Sequence, residues 1–76
     1  MLIDVRTPQE FVVSHAEGAI NLPLDEILNG NYSTISKNDE LELYCRSGSR
    51  SQMAIDYLLT QGFTKVKNLG GLSEVL

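Results

Sequence analysis

The chain is short of most of what builds large or crosslinked proteins. It has one cysteine, no tryptophan, two prolines and one histidine in 76 residues. A lone cysteine excludes an internal disulfide and any zinc site built on several thiolates. Six Lys and Arg against ten Asp and Glu leave a formal net charge of −4. That balance argues against nonspecific binding to nucleic acid, whose phosphates are met by a surplus of basic side chains. No apolar run approaches the ~20 residues that span a bilayer, so no membrane role is expected, and no basic start leads into an apolar stretch of the signal-peptide kind. At this length the expectation is one domain, residues 1–76, with a thin core. The apolar share of 42% is ordinary for a folded chain.

What is present alternates between strand and helix signals. Leu2-Ile3-Asp4-Val5 reads as a buried strand. Thr7-Pro8-Gln9-Glu10 follows it, with Thr7 as a cap, Pro8 suited to the first helical position and Glu10 closing a capping box. Phe11, Val12 and His15 would lie on or near one face of that helix. Ala19 to Leu22 suits a second strand, Leu24 to Leu28 a short helix ended by Asn29-Gly30, and Asn31 to Glu40 a polar loop. Leu41 to Cys45 is a third strand, and Arg50 to about Gln61 a helix with Met53, Ala54, Tyr57 and Leu58 spaced for its core face. Lys65 to Leu69 makes a fourth strand that Gly70-Gly71 breaks. The fold class is therefore α/β, a small, mostly parallel sheet flanked by short helices. Glu42 fits poorly, because a central parallel strand is expected to be apolar on both faces. It requires either an exposed strand start or a different sheet order.

The stretch richest in chemistry is Tyr44-Cys45-Arg46-Ser47-Gly48-Ser49-Arg50-Ser51. A strand, a tight turn and a helix start point backbone N–H groups inward and form an anion cradle. Gly48 supplies the backbone freedom such a turn needs. Arg46 and Arg50 flank the cysteine, and no acidic residue lies between Glu42 and Asp56. Helix N-termini and nearby cations lower a thiol pKa from ~8.5 into the range of roughly 3.5–7.5. The pattern is that of a covalent nucleophile with its own anion site, although no general base stands beside it in sequence. A cysteine at the end of an apolar strand is commonly just a small core residue; the turn, the arginines and the helix start favour the reactive reading.

Asp4-Val5-Arg6-Thr7-Pro8-Gln9-Glu10-Phe11, then His15, then Gly18-Ala19-Ile20-Asn21-Leu22-Pro23, resemble the opening signature of rhodanese domains. Cys45 to Ser51 resembles their active-site loop, and Leu69-Gly70-Gly71-Leu72 their closing Gly-Gly turn. Three motifs in the right order over nearly the whole chain make the resemblance specific. It implies a sulfurtransferase in which Cys45 takes the outer sulfur of thiosulfate, releases sulfite and holds a persulfide. The acceptor would be cyanide, a small thiol or a thioredoxin-like protein. Arg46, Ser47, Gly48, Ser49, Arg50 and Ser51 would bind the substrate and the persulfide anion, while Asp4 and Arg6 would brace the loop. No cofactor is expected beyond the covalent persulfide, and the chain is expected to be a monomer. Cysteine phosphatases resemble a Cys-x5-Arg pattern with a wider ring. Here Cys45 and Arg50 form Cys-x4-Arg, a tighter ring that favours sulfane sulfur over a phosphate ester.

The chain departs from the usual pattern in three places. A strand and helix before Asp4 are missing, Ser14 replaces the usual Gly before the histidine, and no Trp follows Gly71. These abbreviations resemble the minimal single-domain rhodaneses of the phage-shock type, which are secreted to the periplasm. The expectation is therefore periplasmic if a leader was trimmed before Met1, and cytoplasmic otherwise. His15 is expected to pack or to bond to backbone, and Met53 and Tyr57 to be core. No metal is expected, because His15 and Cys45 lack further ligands at usable spacing. The alternative function is a persulfide carrier or sensor that works with a partner protein rather than on thiosulfate. An inert interaction domain is a weaker variant, since such domains typically lose the cysteine.

Overall fold

In the computed structural model, which describes residues 1–76, four strands alternate with four helices. They are β1 (Leu2–Asp4), α1 (Pro8–Val13), β2 (Ile20–Asn21), α2 (Leu24–Leu28), β3 (Leu41–Cys45), α3 (Ser49–Thr60), β4 (Val66–Gly71) and α4 (Leu72–Val75). The strands form one sheet in the order β2-β1-β3-β4, and every adjacent pair is parallel. All carboxyl ends therefore point to one edge, which carries the ends of β1 at Asp4, β3 at Cys45 and β4 at Gly71. The register fixes their spacing, with Asp4 opposite Tyr44 and Cys45 opposite Gly71.

Local signals set the helix starts. Thr7 Oγ1 accepts the Glu10 N–H, and the Glu10 carboxylate in turn accepts the Thr7 N–H, so the capping box is complete with Pro8 at the first helical position. Ahead of α3, Gly48 takes φ +98°, a left-handed conformation that a side-chain-bearing residue adopts only at a cost. That turn sets the phase of α3, whose buried residues are Ser51, Ala54, Ile55 and Leu58. Met53 does not belong to this stripe and is 54% exposed, which corrects the sequence-based core assignment. Tyr57 packs partly buried against the core.

The core joins Ile3, Leu41, Leu43 and Cys45 of the sheet to Ile27 of α2 and to Leu58 of α3. Glu42 is exposed as the second residue of β3 and pairs in register with Lys67, so the sheet order stands and the charge lies near the strand's start. A second correction concerns Gly70-Gly71, which continues β4 rather than breaking it. The register steps from Leu43↔Asn68 to Tyr44↔Gly70. Leu69 is the extra residue of a bulge, and Gly70 at φ +91° absorbs the bend. No helix is long and apolar enough to cross a membrane.

Candidate active site

Cys45 closes β3 at the carboxyl edge of the sheet and has no exposed surface. The loop that follows folds back over its sulfur: the Gly48 N–H donates to Cys45 Sγ at 3.0 Å, and Ser51 Oγ lies 3.6 Å from it. The largest single influence on the thiol is burial, which raises its pKa. The N–H and hydroxyl of Ser51 and the N–H groups of Ser47 and Gly48 together outweigh it, and the thiol lies below its ordinary value. The leading stabilisers are thus backbone dipoles and one hydroxyl. The arginines named in sequence contribute less than expected, because the ring touches the sulfur and they do not. No carboxylate or imidazole hydrogen-bonds to the sulfur.

The two loop arginines have different surroundings. Arg50 is held by Glu10 in a two-pronged pair, Nη1 to Oε1 at 2.6 Å and Nη2 to Oε2 at 3.1 Å. This bond ties the start of α3 to the first turn of α1, and the Arg50 hydrogen bond, first among several influences, holds the Glu10 carboxyl down at about 2. The guanidinium of Arg50, placed by sequence among the substrate-binding residues, is therefore engaged by Glu10. Arg46 is exposed and makes neither an ion pair nor a side-chain hydrogen bond. It lines a cleft of about 520 Å³ with Arg6, Glu10 and Ser14, and with Val13 and Leu72 on its apolar side. Ser47 and Ser49 face each other through their hydroxyls at 3.3 Å on the exposed rim.

Asp4 and Arg6 brace the site from behind. Arg6 donates from Nε and Nη2 to both Asp4 oxygens at 2.7–3.1 Å, and from Nη2 to the Ser14 carbonyl at 2.6 Å. Tyr44 donates to Asp4 Oδ2 at 2.8 Å and accepts the Ala16 N–H at 3.0 Å. None of these bonds reaches residues 46–51. The pair holds the segment after α1 and the end of β3, and so positions Cys45 through Tyr44 rather than by gripping the loop. His15 stacks on Phe11 at 3.7 Å between ring centroids, and its Nδ1 lies 2.8 Å from the Phe11 carbonyl oxygen. No group of three or more His, Cys, Asp or Glu side chains is placed to hold a metal ion.

Sequence reasoning missed Asn68. Its Nδ2 donates to the Gly48 carbonyl and to Gln52 Oε1, and its Oδ1 accepts from Ser51 Oγ at 2.7 Å and from the Gly70 N–H at 2.9 Å. A polar residue inside a predicted strand, two positions before a Gly pair, was the available signal. Gly71 was also missed as a site residue: a Cβ there would overlap the Arg46 carbonyl oxygen. The loop closes this tightly only over glycine.

A parallel α/β domain with its one thiol beneath a ring of N–H groups at the carboxyl edge belongs to the class of cysteine-loop group-transfer domains. Within that class the family is specific: the rhodanese-like domain matches residues 1–76, and the chain belongs to that family. It is a rhodanese-like domain of sulfurtransferase type that retains its cysteine. The thiosulfate sulfurtransferase PspE of Escherichia coli K12 is 39% identical over 74 residues, which are 96% of this chain and 71% of that protein. The putative sulfur carrier protein YrkF of Bacillus subtilis is 37% identical over 68 residues, 90% of this chain but only 36% of that protein. A solved rhodanese with anions from E. coli superposes with a TM-score of 0.87 at 39% identity, covering 97% of this chain and 88% of its own.

Proposed function

We propose that the protein is a thiosulfate:acceptor sulfurtransferase working through a persulfide on Cys45. The observation that carries this reading is the Cys45 sulfur seated against the Gly48 N–H at 3.0 Å in a ring that favours a negative sulfur. In the first half-reaction the Cys45 thiolate attacks the outer sulfur of thiosulfate. A new S–S bond forms, the sulfur–sulfur bond of thiosulfate breaks, and sulfite leaves with the electron pair. The persulfide keeps one negative charge, which the loop N–H groups stabilise. In the second, cyanide or a thiolate attacks the outer sulfur and returns Cys45 as thiolate. Sulfur is carried on the protein itself, so this scheme uses no cofactor, and two half-reactions predict ping-pong kinetics.

In this scheme Arg46, exposed on the rim with Ser47 and Ser49, attracts the dianion. Resemblance to PspE supports thiosulfate as the donor. Thiocyanate formation from thiosulfate and cyanide is expected, and it disappears in Cys45→Ser. Intact mass after thiosulfate should show one added sulfur, and Arg46→Ala should raise the KM for thiosulfate more than it lowers stability. Turnover that persists in Cys45→Ser refutes the covalent mechanism. Cell fractionation distinguishes the periplasmic form from the cytoplasmic one.

The likeness to a putative sulfur carrier protein favours a second reading, a persulfide carrier that receives sulfur from a partner protein. A mass shift with a protein persulfide donor but none with thiosulfate would select it.

A further inference from the structure

Ser51 holds a single hydroxyl proton, yet three acceptors lie within its reach. Asn68 Oδ1 is at 2.7 Å, the Gly48 carbonyl at 3.0 Å and Cys45 Sγ at 3.6 Å. Only one can receive it at a time. Asn68 cannot turn its amide away, because Nδ2 is spent on the Gly48 carbonyl at 3.0 Å and on Gln52 Oε1 at 3.1 Å. Its Oδ1 is further fixed by the Gly70 N–H at 2.9 Å. The amide oxygen is therefore aimed at Ser51 by three other bonds, and its contact is the shortest of the three. The Gly48 carbonyl already takes the Gln52 backbone N–H at 3.0 Å, which leaves it the weaker competitor.

We propose that Asn68 is a positioning residue that competes with Cys45 for the Ser51 hydroxyl proton, so that the backbone N–H ring carries most of the charge of the sulfur and the hydroxyl only a part of it. The consequence is a compromise in reactivity. Each hydrogen bond donated to a thiolate stabilises it but also lowers its nucleophilicity, since attack rates follow thiol basicity with a slope of about 0.4–0.5. Withholding one hydroxyl keeps the sulfur ionised yet reactive. When Asn68 is removed, the freed proton goes to the charged sulfur, the strongest acceptor present.

The other charged groups around the sulfur are Arg50 of α3, which is paired with Glu10 of α1, and Arg46 on the loop. Glu74 of α4 lies against Gly70, and the Asp4–Arg6 pair, with the buried Tyr44 phenol, stands behind β3. None of them hydrogen-bonds to Ser51 Oγ or to the Asn68 side chain.

The inference rests on Cys45 as the reacting group, but its test needs no sulfur donor. The pH dependence of Cys45 alkylation by iodoacetamide is measured in the wild-type chain, in Asn68→Ala, in Ser51→Ala and in the double variant. A hydrogen bond to a charged group corresponds to about one pH unit, and Asn68→Ala should lower the midpoint by about that much. In the Ser51→Ala background the same substitution should move it by less than about 0.3 unit. Asn68→Val, which suits a strand, should reproduce the downward shift should the alanine variant fold poorly. An upward shift, no shift, or equal shifts in both backgrounds overturns the proposal, because loosening of the loop acts whether or not Ser51 has a hydroxyl. Failure here leaves sulfur transfer at Cys45 standing, whereas absence of thiocyanate formation counts against that reading alone.

Discussion

Replacing Tyr44 by Phe removes one oxygen from the interior and nothing else. Tyr44 and Asp4 have no exposed surface, and Ala16 is 1% exposed, so water cannot take over what the hydroxyl leaves. Two bonds are lost, the donation to Asp4 Oδ2 at 2.8 Å and the acceptance of the Ala16 N–H at 3.0 Å. The first is to a charged acceptor, about 1.5–3 kcal/mol, and the second strands a buried N–H at about 1–3 kcal/mol. Asp4 keeps its four hydrogen bonds from Arg6 and the phenol no longer has to be desolvated, which places the net loss at about 2–4 kcal/mol. A domain of this size has about 4–11 kcal/mol in total, so the variant is close to the edge of folding. Urea unfolding at 25 °C should show a midpoint lower by roughly 2 M with an unchanged slope. Burial, first among several influences, holds the phenol above its ordinary pKa in the folded chain. Its contribution is therefore full below about pH 10 and is lost as the pH rises through the folded-state value. The Phe variant lacks this alkaline step. A loss under 0.5 kcal/mol, or an alkaline step that persists in Tyr44→Phe, would refute the reasoning that the Asp4–Tyr44–Ala16 bonds hold the end of β3.

Two further predictions concern the loop's moorings. Glu10→Gln removes the charge that holds Arg50, and because both partners are about 30% exposed the stability cost should be about 1 kcal/mol or less. The Glu10 carboxyl is depressed to about 2, so the pair's contribution is present above its unfolded value of about 4.3 and is lost as the pH falls toward 2. Acid unfolding should accordingly be less steep in the variant through that window, and identical acid curves would contradict the pairing. Gly71→Ala drives a methyl group into the Arg46 carbonyl, so the alkylation midpoint of Cys45 should rise as the N–H ring opens. An unchanged midpoint with normal sulfur transfer would show that the loop does not depend on this contact.

The parts of the structure that were legible from sequence are those whose causes are local. The Thr7–Glu10 capping box lies within four residues, and α1 begins where it says. The Cys45–Ser51 stretch combines a strand end, a left-handed glycine and a helix start in seven residues, so the loop could be read directly. What was not legible depends on pairing between distant segments. Glu10 and Arg50 are forty positions apart, and nothing in either neighbourhood indicates that one occupies the other. Asn68 reaches the loop from its place opposite Leu43, and Gly71 comes opposite Cys45 because β4 is bulged at Leu69; a register is a property of two strands together. Met53 was misplaced for a different reason: α3 packs with Ser51, Ala54, Ile55 and Leu58 inward, and which of two neighbouring apolar stripes faces the core is set by how the helix docks on the sheet.

The distribution of paired charges changes what the arginines around Cys45 mean. In a chain of net charge −4, Arg6, Arg46 and Arg50 look like a cationic cluster gathered for an anion. The fold neutralises two of them within the chain, Arg6 by Asp4 and Arg50 by Glu10, and leaves Arg46 free on the rim. Paired in this way, Arg6 and Arg50 act as struts that fix the segments on either side of the loop, and their long-range fields largely cancel. The sulfur is stabilised instead by N–H dipoles at contact distance, where screening by salt is weak because no solvent intervenes. In the proposed scheme two tasks that a cationic loop would merge are thus separated: short-range dipoles hold the negative sulfur, and one exposed arginine would meet the incoming anion. On that scheme a small acidic domain would need only one unpaired positive charge on the loop beside its thiolate.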